Sequence, residues 1–134
     1  MNDRNASPDT ATNGALILVV DDELDLLSAY AMLLEHLGYR IRTASNGREA
    51  LACALHERPD IVVSDFMMPI MDGAQLCREL RASPALSSIP FILCSAGRLR
   101  NDVPIPYDTF FPKPVLVDRL VNEINRLISR RDAT

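Results

Sequence analysis

Short apolar runs alternate with stretches of helical period along most of this chain, and that alternation narrows the fold more than any other feature. Leu16-Ile17-Leu18-Val19-Val20, Ile61-Val62-Val63-Ser64 and Phe91-Ile92-Leu93-Cys94 are apolar at nearly every position, as strands buried on both faces are. After the first run, Leu24, Leu27, Ala31, Leu34 and Leu37 recur at helical spacing and Gly38 supplies a stop. Tyr39 to Ala44 reads as the next strand. Ser45 or Asn46 can cap a second helix bearing Ala50, Leu51, Ala54 and Leu55, which ends before Pro59 because a pre-proline residue disfavours helix. A third helix begins after Gly73 with Leu76, Cys77 and Leu80 inward, and the chain then loops through Ser83-Pro84. Tyr107 to Phe111 reads as the last strand, followed by a helix with Leu116, Leu120, Ile124, Leu127 and Ile128 on one face. Five strands and about five helical segments so alternate. The pattern predicts an α/β, doubly wound parallel sheet, because right-handed crossovers place a helix between successive parallel strands.

At 134 residues the chain has the size of one domain. No apolar stretch approaches the roughly 20 residues of a membrane span, so no membrane partner is expected. Residues 1–14 are polar, with too few large apolar side chains to offset ordering entropy, and read as a disordered tail. They contain no apolar secretory core, which makes the cytoplasm the expected compartment. The folded unit is expected over 15–130, with 131–134 as a polar end. Cys53, Cys77 and Cys94 lack the spacing of a zinc site or a disulfide framework and read as reduced core residues. A net charge of -4 with scattered arginines argues against direct nucleic-acid binding. The partner is expected to be protein.

The strand ends carry the chemistry. Asp21-Asp22-Glu23 follows the first strand, Asp65 closes the third, Ser95 ends the fourth and Lys113 follows the fifth. If the strands are parallel, their carboxyl ends gather these groups in one crevice, where open α/β sheets bind ligands. Two like charges about 4 Å apart repel by roughly 4 kcal/mol at an effective dielectric near 20, which a cation would relieve. All-oxygen coordination suits Mg²⁺. Taken singly, Asp22 could instead cap the first helix and Asp65 could simply open a loop, since aspartate is favoured in both places. His36 and His56 lie in helical segments away from these ends and read as solvated or structural.

As a set, Val19-Val20-Asp21-Asp22-Glu23, Asp65-Phe66-Met67-Met68-Pro69-Ile70-Met71-Asp72-Gly73, Cys94-Ser95-Ala96 and Lys113-Pro114 resemble the receiver domain of two-component response regulators. The resemblance spans Ala15 to Arg130 and implies a flavodoxin/CheY-like sheet of strand order 2-1-3-4-5. It implies that Asp65 is the phosphoacceptor, taking a phosphoryl group from a histidine kinase or phosphotransfer protein. Asp22, Asp65 and the backbone carbonyl of Met67 would ligate Mg²⁺ (or Mn²⁺) directly, with Asp21 acting mainly through water. Phosphoryl transfer asks for positioning and charge neutralisation, which the metal and Lys113 supply. Ser95 would be the switch hydroxyl, and Phe110 the aromatic switch residue signalling by packing alone, since it lacks a hydroxyl. Met67 and Gly97 would flank the attacking water and tune phosphate lifetime. The implied role is signalling rather than enzymatic, with only self-catalysed phosphotransfer and autodephosphorylation, and with a downstream protein as target.

The chain departs from that family between Ser95 and Lys113, where the run from Ala96 to Pro106 is short and contains Pro104 and Pro106. Proline breaks helix interiors, so at most a short helical turn fits between Ala96 and Val103, and the fourth helix is expected to be shortened or irregular. Pro112 cannot donate a ladder hydrogen bond and belongs at a sheet edge or a strand end. Two rivals remain. An interaction module with a dormant crevice would share the fold. A small aspartyl-phosphate phosphohydrolase is disfavoured, since Met67 stands where the haloacid-dehalogenase pattern has its second aspartate.

Overall fold

The computed structural model describes residues 14–97, 99 and 103–132. In chain order the elements are β1 (Leu16–Val20), α1 (Leu24–His36), β2 (Arg40–Ala44), α2 (Gly47–His56), β3 (Ile61–Asp65), α3 (Gly73–Ala82), β4 (Phe91–Ser95), β5 (Thr109–Pro112) and α4 (Val117–Asp132). The strands form one parallel sheet, ordered β2-β1-β3-β4-β5. This is the predicted 2-1-3-4-5 order. The tail expected over 1–14 lies outside the described residues except for Gly14, as do residues 133 and 134.

Strand pleat divides the core in two. Ile17 and Val19 of β1 pack with Leu27 and Leu34 of α1 and with Leu120, Ile124, Leu127 and Ile128 of α4. Their neighbours Leu18 and Val20 face the other way, onto Ala50 and Ala54 of α2 and Leu76, Cys77 and Leu80 of α3. Successive side chains of a strand point to opposite faces, so a central strand under two helical layers must be apolar throughout. All five residues of β1 and of β4 are buried accordingly. Edge strand β2 is covered only in part, with Ile41 and Ala44 inside, on opposite faces of the sheet, and Arg40, Arg42 and Thr43 outside. Pro112 ends the other edge strand, β5, where its missing donor costs nothing.

Several assignments read from the sequence shift. The second and fifth strands begin at Arg40 and Thr109 rather than at Tyr39 and Tyr107. Leu24, Leu55 and Leu116 are 64%, 63% and 65% exposed, so they lie off the buried faces, and Leu116 precedes its helix. Helical spacing places a residue on a stripe but does not say how wide a stripe the sheet covers. Asn46 is the cap of α2, its side chain accepting from the Glu49 N–H at 2.8 Å, while Glu49 reaches back to the Ser45 N–H. Asn46→Ala is expected to lower the unfolding free energy by about 1 kcal/mol in urea titrations. The three cysteines are free thiols, Cys77 and Cys94 buried and Cys53 half-buried. Burial pushes the Cys77 thiol up to about 11 and the Cys94 thiol up to about 12.

Four helices, not five, occur among the described residues, and none lies between β4 and β5. The expected short turn between Ala96 and Val103 falls partly on residues 98 and 100–102, outside the described set. The described residues just before β5, 103–108, are neither helix nor strand and are tied to α3. Half-buried Leu99 and Ile105 pack against the α2/α3 side of the core. Arg78 donates to the Val103 carbonyl at 3.0 Å and Arg81 to the Pro106 carbonyl at 3.1 Å. Arg81 also pairs with Asp108 at 2.9 Å, and Asp108 in turn accepts from the Phe91 N–H at 2.8 Å. Side chains here supply the hydrogen bonds that a helix would have made within its own backbone.

Candidate functional site

Parallel pairing sets the strand ends level. Val20 lies opposite Ser64 and Ser95 opposite Pro112, so the residues just past these pairs emerge along one edge of the sheet. Asp21 is 4% exposed, held by its N–H donating to the Ala44 carbonyl at 3.1 Å and by its carboxylate accepting from the Glu23 N–H at 3.0 Å. Asp22 is exposed. It does not cap α1, whose cap is Glu23 with no side-chain hydrogen bond. Asp65 is the last residue of β3, and its side chain is 11% exposed. Asp21, Asp22 and Asp65 each place a carboxylate oxygen within 4.8 Å of the others.

Into this cluster reaches Lys113, the chain's single lysine beside thirteen arginines. Its ammonium donates to Asp21 at 3.1 Å and to Asp65 at 3.0 Å. The scarcity of lysine was a readable signal, because a compact ammonium on a flexible stem is not interchangeable with a guanidinium. The backbone fixes the position, since the Lys113 N–H donates to the Ser95 carbonyl at 2.8 Å; the peptide to Pro114 is cis. Burial works against the Lys113 ammonium, but its hydrogen bonds to Asp65 and Asp21 prevail and its pKa moves up. Burial raises the Asp65 pKa despite the opposing hydrogen bond from Lys113.

Ser95 is buried at the end of β4, its hydroxyl accepting from the Gly97 N–H at 3.3 Å. Phe110 is half-buried on β5, its ring centroid 6.1 Å from that of Tyr107. Met67 and Ile70 are exposed in the loop after Asp65. Sequence reading missed that loop's turn. Ile70 has φ 71° and the Met71 N–H donates to the Pro69 carbonyl at 2.7 Å, the strained form of a γ-turn. The turn aims the Met71 carbonyl at the Gly47 N–H, 2.8 Å away, tying the loop to the start of α2. His36 and His56 are exposed on α1 and α2 and take no part in the crevice.

Three carboxylates face one ammonium, leaving excess negative charge on an all-oxygen donor set. That chemistry fits a hard divalent cation such as Mg²⁺. The crevice therefore gathers three carboxylates and a fixed ammonium at the carboxyl edge of a doubly wound sheet, with Ser95 buried at the end of the neighbouring strand.

Fold and crevice together define a doubly wound α/β module of the flavodoxin-like class with an acidic crevice at its strand ends. The chain belongs to the response regulator receiver domain family, whose sequence model matches residues 17–125. It is 34% identical over 130 residues to the transcriptional regulatory protein PrrA of Mycobacterium leprae, an alignment covering 94% of this chain and 55% of that protein. The chain thus spans about half the length of the curated relatives it matches. The crystal structure of a receiver domain of a histidine kinase from Syntrophus aciditrophicus superposes with TM-score 0.81 at 34% identity, covering 90% of this chain and 94% of that one. A receiver domain of a sensor histidine kinase from Pseudomonas aeruginosa PAO1 superposes with TM-score 0.80 at 28% identity, covering 87% and 98%. That structure has a magnesium ion coordinated in its active-site cleft. No helix among the described residues is long and apolar enough to cross a membrane.

Proposed function

We propose that Asp65 accepts a phosphoryl group from the phosphohistidine of a histidine kinase or phosphotransfer protein. The observation carrying this reading is the ion pair between Asp65 and Lys113 inside the three-carboxylate crevice. A carboxylate oxygen of Asp65 forms the new O–P bond as the P–N bond of the donor breaks, and the departing imidazole keeps that electron pair and takes a proton from solvent. Asp21, Asp22, Asp65 and the Met67 carbonyl would hold Mg²⁺ or Mn²⁺, which supplies neutralisation of the phosphoryl oxygens. Lys113, already anchored by Asp21, stays beside the acceptor and stabilises the charge developing on the transferred group.

Ser95 and Phe110 carry the change outward. Once Asp65 bears a phosphoryl group, the Ser95 hydroxyl donates to one of its oxygens and gives up the Gly97 N–H. Phe110 then turns into the space that is freed, shifting a two-state equilibrium and altering a protein-binding face. Autodephosphorylation, with water approaching past Met67 and Gly97, resets it. The cytoplasm is the compartment consistent with such a donor, and a downstream protein is the target.

Incubation with Mg²⁺ and acetyl phosphate or phosphoramidate tests the reading by intact mass and peptide mapping. One phosphoryl adduct on Asp65, abolished by EDTA, is the expected result. Absence of any adduct would leave an interaction module with a dormant crevice. Continuous phosphate release without an accumulating adduct would mark a phosphohydrolase.

A further inference from the structure

An ammonium has three donors, and Lys113 directs two of them to Asp21 and Asp65. Behind the crevice, between the sheet and helices α1 and α4, lies a cavity of about 20 Å³ lined by Asp21, Asp65, Lys113 and Tyr30, among others. A single water needs about 10–15 Å³ and two to four polar partners. Tyr30 is the only residue of α1 in that lining. Burial raises its phenol pKa, Cys94 adds to this, Lys113 opposes it and Asp21 adds again, so the hydroxyl lies within electrostatic range of the crevice. The ring packs against the α1/α4 side of the core. Phenylalanine would serve that packing equally well, which leaves the hydroxyl without a role in the core.

We propose that Tyr30 is a positioning residue for Lys113: its hydroxyl and the third ammonium proton share one water held in this partly open cavity, which keeps the lysine seated between Asp21 and Asp65. The water accepts from Lys113 and donates to the phenol oxygen. A four-carbon stem is otherwise free to swing toward solvent, taking with it the charge that the acceptor needs. The consequence for phosphoryl transfer rests on the function proposed above, whereas the seating of Lys113 does not.

The test is Tyr30→Phe, which removes the hydroxyl and keeps the ring. Because Lys113 is the only lysine, labelling with ε-¹³C lysine gives one unambiguous side-chain resonance in the metal-free protein. The expected result is a shifted and exchange-broadened Lys113 resonance in the variant at unchanged thermal midpoint. Adduct formation with phosphoramidate is expected to slow by roughly twofold to tenfold, the worth of one net hydrogen bond. An unchanged Lys113 resonance in folded Tyr30→Phe overturns the proposal, whatever the rate does. If wild-type protein forms no adduct at all, the phosphoacceptor reading fails while the resonance comparison still decides the seating of Lys113.

Discussion

Lys113→Met is expected to lower the unfolding free energy by about 3–5 kcal/mol at neutral pH in metal-free buffer, the usual cost of removing one partner from a buried ion pair. Asp21 and Asp65 have side chains only 5% and 11% exposed, and Lys113 is the cation between them. Without it, two carboxylates face each other out of water. Burial already raises the Asp65 pKa with the ammonium in place, and its loss raises it further. The sign of the pH dependence follows. A carboxyl whose folded pKa lies above its unfolded value binds more protons in the folded state, so the folded variant recovers as pH falls toward the unfolded aspartate value near 3.9. Urea unfolding at about pH 7.5 and about pH 5 measures this, with the deficit relative to wild type expected to shrink on acidification. A deficit that is equal at both, or larger in acid, would sink the account of the crevice as a charge-strained cluster.

Gly73→Ala is expected to cost about 1–3 kcal/mol and, on the function proposed above, to slow phosphoryl uptake at Asp65 in the same step. Gly73 opens α3 with its N–H donating to the Phe66 carbonyl at 2.8 Å. An added Cβ would lie 2.9 Å from the Cδ1 of Leu93 and closer still to the backbone carbonyl oxygen of Asp65. Leu93 is fully buried and cannot yield, so the carbonyl must move, and with it Asp65, the proposed acceptor. The glycine is required here by close approach, since its φ is not in the left-handed region. Parallel measurement of urea midpoint and adduct yield checks the coupling. Wild-type behaviour in both would refute it.

The elements most legible in the sequence were those with the least freedom. β1, β3 and β4 sit inside the sheet under helices on both faces, so nearly every residue is apolar and the runs stand out. Edge strand β5 was placed two residues early, because its residues are only partly covered and their pattern is correspondingly loose. Leu24, Leu55 and Leu116 have helical spacing and still face solvent, since spacing fixes an angle around a helix axis and not what lies opposite it. Pro104 and Pro106, whose rings exclude a helix locally, pointed to an irregular link, and the described residues 103–108 are non-helical. Their anchorage by Arg78 and Arg81 was not legible, because those bonds join residues 25 to 27 positions apart.

At the crevice the same division holds. Residue type and position at strand ends were enough to expect Asp21, Asp22, Asp65 and Lys113 in one crevice, where the structure has them, because open parallel sheets gather ligand-binding groups where their strands stop; Ser95 is buried at its own strand end. Local chemistry could not say which aspartate is buried, that Lys113 bridges two of them across 92 positions of chain, or that Tyr30 lines a cavity behind them. Those features depend on how layers stack on the sheet. Periodicity and turn chemistry act over a few residues and are written in the chain itself. Convergence of charges is set by strand order, register and the helices that close over them, and these exist only once the layers have packed.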